Sequence, residues 1–251
     1  MPLYTADALI LRTYKLGEAD RIVVFLTADR GKRRGVARGA RRPRSAFSGA
    51  LEPMTRGRVA YLERERRELV RLRYVEPVCS PLASSSAEAL AHVGYFAELI
   101  DEWAPEADPN DKLFRLGAAV VESVAAGVPV ERLARYFEFW LLRLQGVYPP
   151  IAACSRCGGD LRDGARLLGG GTLACRRCDP SGEAGGLSAA AVAFLATART
   201  MAPGGLRDVE LPAPAERELA RAHHRLISAH LEKELKSVRV VRSLTRDRPG
   251  A

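Results

Sequence analysis

Near Pro81 the periodicity of this chain changes from two to about 3.6, and no single type of element can run through that change. Before it, short runs of β-branched, leucine and aromatic residues are broken by Gly and Pro. They place strands at Ala8–Tyr14, Arg21–Thr27, Lys32–Arg38, Arg58–Glu63 and Leu69–Val75. In the last, Val70, Leu72 and Tyr74 alternate with Arg71 and Arg73, giving one apolar and one basic face. Five short strands within residues 1–80 suit a small closed barrel, with the OB-fold as the leading candidate and an SH3-like barrel beside it.

After Pro81, Ala, Leu and Glu recur at helical spacing. Ser84 to Ser86 can cap a helix with Leu90, Val93, Ala97 and Ile100 on one face, ending near Trp103 and Pro105. A second helix runs from Asp111 to a stop at Gly127, and a third from Val130 to Gln145 carries Leu133, Phe137, Trp140, Leu141 and Leu144. Two more are expected at Ser188–Met201 and Ala215–Lys236. The fold class is therefore α+β: a barrel domain over 1–80, a helical domain in two parts over 81–150 and 185–245, a cysteine-bearing insert over 151–184, and a disordered tail over 246–251.

The insert carries Cys154-x-x-Cys157-Gly and Cys175-x-x-Cys178, separated by 17 residues that include Gly158, Gly159 and Gly169 to Gly171. Two such knuckles supply four thiolates for a tetrahedral Zn²⁺ with no open coordination position, so a structural zinc is expected and a catalytic one is not. So small and Gly-rich a segment buries little apolar surface, and the metal should supply its folding energy. Arg156, Arg162, Arg166, Arg176 and Arg177 decorate it, but its structural role outweighs a backbone contact to nucleic acid. The pattern is a poor disulfide framework and points to the cytoplasm. No apolar run approaches the length that spans a bilayer, and no signal peptide is recognisable.

Charge narrows the partner. Residues 1–80 hold 18 Lys and Arg against 9 Asp and Glu, whereas the other 171 residues hold 21 of each, so the net +9 belongs to one segment. Eight of those cations crowd into the acid-free stretch Arg30–Arg44. A field so localised implies a polyanion. On a strand of period two, Lys32, Arg34 and Arg38 face outward with Val36, while Arg33, Gly35 and Ala37 face the barrel interior. Gly39 to Ser45, with Arg41, Arg42 and Arg44, reads as a flexible basic loop, and Arg12, Arg21, Arg71 and Arg73 widen the surface. Among the aromatics Phe47, in that loop, is the first choice for base stacking. Walker A, G-x-G-x-x-G, G-x-S-x-G and H-E-x-x-H sequences are absent, His92 reads as a spectator alone on its helix, His223, His224 and His230 lack acidic partners at metal-binding spacing, and Cys79 reads as a small buried residue. Catalysis is not expected.

Leu11-Arg-Thr-Tyr-Lys-Leu-Gly-Glu-Ala-Asp-Arg-Ile-Val, Gly31-Lys-Arg-Arg-Gly-Val-Ala-Arg-Gly-Ala-Arg-Arg-Pro and Leu51-Glu-Pro together closely resemble the N-terminal domain of the bacterial RecO family. The later order is also similar: a helical block, the cysteine knuckles, and a final helix with His230-Leu231 and Leu235-Lys-Ser. The end departs from it, since Val238-Arg-Val-Val stands where the family often has a more basic terminus. The resemblance implies an OB-fold joined to a helical domain with an inserted zinc finger. It implies binding of single- and double-stranded DNA, annealing of complementary strands, and work with RecR, sometimes with RecF, to load RecA onto DNA coated by single-stranded-DNA-binding protein. It also implies docking of that protein's C-terminal tail on the helical domain, where Arg132, Arg135 and Arg143 are the candidate cations. A zinc-containing OB-fold protein acting on RNA is the alternative reading.

Overall fold

The computed structural model describes residues 2–63, 68–83, 86–168, 171–180 and 186–246. Ser84, Ser85, Gly169, Gly170 and residues 247–251, on which parts of the cap, glycine and tail expectations fall, lie outside the described residues. The strands are β1 (Leu3–Leu16), β2 (Asp20–Thr27), β3 (Gly31–Ala37), β4 (Arg56–Leu62), β5 (Leu69–Cys79), β6 (Ala165–Leu168), β7 (Thr172–Cys175) and β8 (Gly186–Leu187). The helices are α1 (Ala87–Trp103), α2 (Asp111–Ala125), α3 (Val130–Leu144), α4 (Ala189–Ala198), α5 (Ala213–Leu231) and α6 (Lys236–Arg246). They divide into two compact units, Met1–Gly127 with Leu235–Ala251, and Val128–Glu234. This division differs from the segments read off the sequence, because α1 and α2 pack on the barrel and α6 packs on α1 in the same unit.

In the first unit β1 to β5 close in the order β1-β2-β3-β5-β4, with β4 returning to β1. All neighbours are antiparallel except β3 and β5. Alternation fills the interior with Ala8, Ile10, Val23, Phe25, Ala37, Val59, Tyr61, Val70, Leu72 and Val75. Gly35 faces the same core, where a Cβ would come within 2.9 Å of Leu72 and Val70, so the small inward residues of β3 are a packing requirement. Tyr74 departs from the expected apolar face. A register shift between β4 and β5 sets Ala60 opposite Tyr74 but Tyr61 opposite Leu72, and Tyr74 is exposed.

The stretch read as a flexible basic loop is a chain of turns, with Arg42 N donating to Gly39 O, Ser45 N to Arg42 O and Ser48 N to Ser45 O. It ends by inserting Phe47, Ala50 and Leu51 into the barrel core. Phe47 is thus buried and is no stacking surface.

A second apolar layer lies outside the barrel, where Leu9, Val24, Leu26 and Met54 are buried with residues of α1 and α2. At the closest approach Gly117 of α2 sits where a Cβ would be 2.7 Å from Leu9 and 2.9 Å from Ile100. Ser86 caps α1 by accepting from Ala89 N, and Asn110 caps α2 through Leu113 N. The long terminal helix expected to run to Lys236 breaks at Glu232, whose φ is 53°, and resumes as α6 in this unit. There Glu98 of α1 takes the place of a cap, accepting from Lys236 N and Ser237 N at 3.1 and 2.8 Å.

The second unit packs α3, α4 and α5 around Leu133, Phe137, Phe139, Leu141, Phe194, Leu195, Leu219 and Ile227. Trp140 Nε1 donates to Ala198 O and joins α3 to the end of α4. The cysteine segment adds a small sheet in the order β7-β6-β8.

Candidate nucleic-acid face and metal centre

The period of β3 places Lys32, Arg34 and Val36 on its outer side, with Arg38 directly after the strand, but the helical layer divides them. Lys32 is buried, with Nζ 2.6 Å from Asp101 O, 3.3 Å from Asp101 Oδ1 and 3.8 Å from Glu106 Oε1. The chain leaving α1 lies against the start of β3, where Ala107 N donates to Lys32 O. Gly31 at φ 69° makes room for the Asp108 backbone. Arg34 remains half exposed but pairs with Glu106 at 3.0 Å, and Arg12 reaches Asp101 at 3.4 Å and Glu98 at 4.0 Å. Three carboxylates thus neutralise Arg12, Lys32 and Arg34. The expectation of an outward Lys32 is corrected: it is an internal counter-ion for α1, because the strand period cannot reveal a helix laid over it.

Beyond this row the balance reverses. Arg38, Arg41, Arg42, Arg44, Arg71 and Arg73 are exposed, and none has a carboxylate within ion-pairing distance among the described residues. Arg41 is tethered by its backbone N to Ala19 O and its Nη1 to Gly17 O, while Gly39 N donates to Asp20 Oδ1 at 2.8 Å. These bonds fix the basic turns to the β1–β2 turn. Arg21 lies opposite Ala37, on the inward parity, where its Nη1 donates to Thr13 Oγ1 at 2.9 Å, so it sits at the barrel end rather than on the outer face. Of the aromatics, Phe25, Tyr61 and Phe47 are core, Tyr4 carries the Arg30 guanidinium 3.8 Å above its ring, and Tyr14 and Tyr74 are exposed.

The structure brings the four predicted sulfurs together: those of Cys154, Cys157, Cys175 and Cys178 all lie within 4.8 Å of one another. The Cys157 and Cys175 sulfurs are 3.7 Å apart, close to the roughly 3.8 Å edge of a tetrahedron with Zn–S bonds of about 2.3 Å. Each pair sits on a tight turn, with Gly158 N donating to Cys154 O and Cys178 N to Cys175 O. Cys175 N at 3.2 Å and Arg156 N at 3.4 Å donate to Cys154 Sγ. The Cys175 amide is the largest cause holding the Cys154 thiol down at about 6, whereas side-chain hydrogen bonds to Cys157 and Cys175 push Cys178 up to about 12. Four thiolates this close need a cation among them, and four soft sulfurs leave no open position on a tetrahedral ion. The residues therefore fit a structural metal ion. Around them Arg166 pairs with Asp179 at 3.7 Å, Arg162 with Asp160, and Arg156 Nη1 donates to Cys178 O at 2.7 Å, while Arg176 and Arg177 are exposed.

Both halves of the chain match known families. Residues 1–81 match the family described as Recombination protein O N terminal, and residues 84–239 match Recombination protein O C terminal. The chain belongs to the RecO family. It is 33% identical over 243 residues to the DNA repair protein RecO of Pelobacter propionicus, covering 96% of this chain and 97% of that one. The corresponding protein of Anaeromyxobacter sp. (strain K) is 36% identical over 233 residues, 90% of this chain and 91% of that one. That of Koribacter versatilis is 42% identical over 165 residues, 65% of this chain and 67% of that one. The closed barrel is accordingly the OB-fold of a RecO N-terminal domain.

The helical arginines separate. Arg135 is buried, its Nη2 2.9 Å from Glu138 Oε1 and its Nε 3.6 Å from Glu216, and is a core residue rather than an outward docking cation. Arg132 donates to the Leu206 carbonyl at 3.1 Å and to that of Arg207. Arg143 alone of the three is exposed, 5.6 Å from the Trp140 ring centre. Sequence reasoning also missed the group behind Arg135. Glu138 Oε2 is 2.8 Å from Nδ1 of the fully buried His223, whose Nε2 is 3.1 Å from the Tyr148 hydroxyl. The Arg135–Glu138 spacing of three on one helix was the available signal.

Proposed function

We propose that this chain is a DNA-binding recombination mediator without bond chemistry. It anneals complementary single strands and, with RecR and in some settings RecF, helps load RecA onto DNA coated by single-stranded-DNA-binding protein. The observation that carries this reading is the surface of Arg38, Arg41, Arg42, Arg44, Arg71 and Arg73, unneutralised among the described residues, on the barrel of a RecO-family chain. Two strands repel through their phosphates, and a cationic face that releases counterions from both lowers that repulsion. Binding of this kind is weakly sequence-specific and spans single and double strands.

In this reading the cysteines hold one structural Zn²⁺, which supplies folding energy to the β6–β8 segment, and the protein works in the cytoplasm at the nucleoid. Arg143 is the helical-domain cation left available for the acidic tail of single-stranded-DNA-binding protein. Among the described residues no helix is long and apolar enough to cross a membrane.

The test is annealing of complementary oligonucleotides precoated with single-stranded-DNA-binding protein, with and without this chain. Acceleration is expected, and its loss in Arg38→Glu/Arg71→Glu ties it to the barrel. No acceleration, or preference for RNA over DNA in competition, contradicts the reading.

A further inference from the structure

The backbone pairing lays two rows across the outer side of the barrel. One is Arg12, Val24, Arg34 and Leu69, and the next is Tyr14, Ile22, Val36 and Arg71, each set joined as direct partners from β1 to β5. In the first row Val24 is buried and the two arginines are ion-paired to α1 and the segment after it. In the second, Tyr14 is 47% exposed, Ile22 and Val36 are half-buried, Arg71 is exposed, and Leu16 beside Tyr14 is 38% exposed. At about 4.8 Å per strand, this open row spans about 14 Å.

We infer that the row stacks unpaired bases on Tyr14, with Ile22 and Val36 as its apolar floor, so that the first unit distinguishes single-stranded from double-stranded DNA. This deepens the proposed DNA-binding role and rests on it. The occupant must offer flat apolar faces and anions together, because Arg38, Arg71 and Arg73 rim the row. An unpaired strand offers both, whereas a duplex hides its base faces. The neighbouring carboxylate, Asp20, accepts from Gly39 N at 2.8 Å, so one of its oxygens is turned to the base of the basic turns. Tyr14 is also pre-positioned. Its hydroxyl accepts from Arg12 Nη1 at 3.3 Å, and Arg12 is itself held by Asp101 and Glu98, so the tip is tethered while the ring remains open. Tyr74, the other exposed barrel tyrosine, lies off this row.

The experiment measures binding of full-length protein to fluorescent oligo-dT and to a duplex of equal length. Tyr14→Ala should weaken oligo-dT binding about tenfold and duplex binding by no more than about twofold, with the salt dependence unchanged because no phosphate contact is removed. Tyr14→Trp should restore oligo-dT affinity. A 5-iodouracil oligonucleotide should photocrosslink to the Tyr14 peptide of the unmutated protein, which tests the contact even if a variant folds poorly. If the unmutated protein binds neither DNA, the proposed function fails. If it binds both and Tyr14→Ala binds oligo-dT normally, loses both affinities equally, or the crosslink maps elsewhere, the stacking inference alone is overturned.

Discussion

Lys32 stands near the start of β3 and Arg38 directly after its end, yet one is a structural counter-ion and the other an available cation. Lys32 lies under the end of α1 with Asp101 against its ammonium, while Arg38 is exposed. The positive charge of a segment is a property of its sequence, but whether a cation can meet a phosphate is decided by what packs over it. The barrel's outer face is divided on this basis into a half spent on holding α1 and a half left for a ligand.

The largest effect expected from breaking this contrast comes from the open half. Arg38→Glu/Arg71→Glu should lower affinity for single strands of unrelated sequence by about 100-fold at moderate salt and flatten the log–log salt slope by about 1 to 2 units, leaving the thermal midpoint unchanged. Lys32→Met should do the reverse. It strands Asp101 beside Arg12 alone and should cost about 2 kcal/mol in urea denaturation, with no change in salt slope.

A smaller effect separates the second unit, which buries a histidine within its charge network. Burial is the main cause holding His223 below its ordinary 6.5, so the folded unit keeps it neutral against the opposing pull of Glu138. The unfolded chain then binds one more proton as pH falls below 6.5, and stability should drop by about 1 kcal/mol per pH unit there. Denaturation across pH 7.5 to about 5 checks this, and His223→Gln should remove that part of the slope. The smallest change is expected from Arg34→Ala. Since Glu106 already holds its guanidinium, it should flatten the salt slope by less than half as much as Arg38→Ala, with stability altered by a few tenths of a kcal/mol.

The strands were legible because alternation such as Val70-Arg-Leu-Arg has no other physical reading, and the cysteines because four sulfurs at knuckle spacing imply one centre. Phe47 was misread because nothing in a basic, turn-rich stretch signals that the chain folds back over the barrel mouth. Tyr74 was displaced by a register shift that strict period two cannot contain. Arg135 looked like a surface charge because its partner Glu216 comes from another helix. The break at Glu232 carries neither Gly nor Pro, so α6 and its return to α1 could not be read locally.

The division of the barrel face is tested most directly by arginine modification with phenylglyoxal, mapped residue by residue with and without a bound single-stranded oligonucleotide. Protection is expected at Arg38, Arg71 and Arg73, weaker at Arg34, with Arg176 and Arg177 unchanged. Unaltered reactivity at Arg38, Arg71 and Arg73, with protection at Arg176 and Arg177 instead, would contradict it and move the DNA to the cysteine segment.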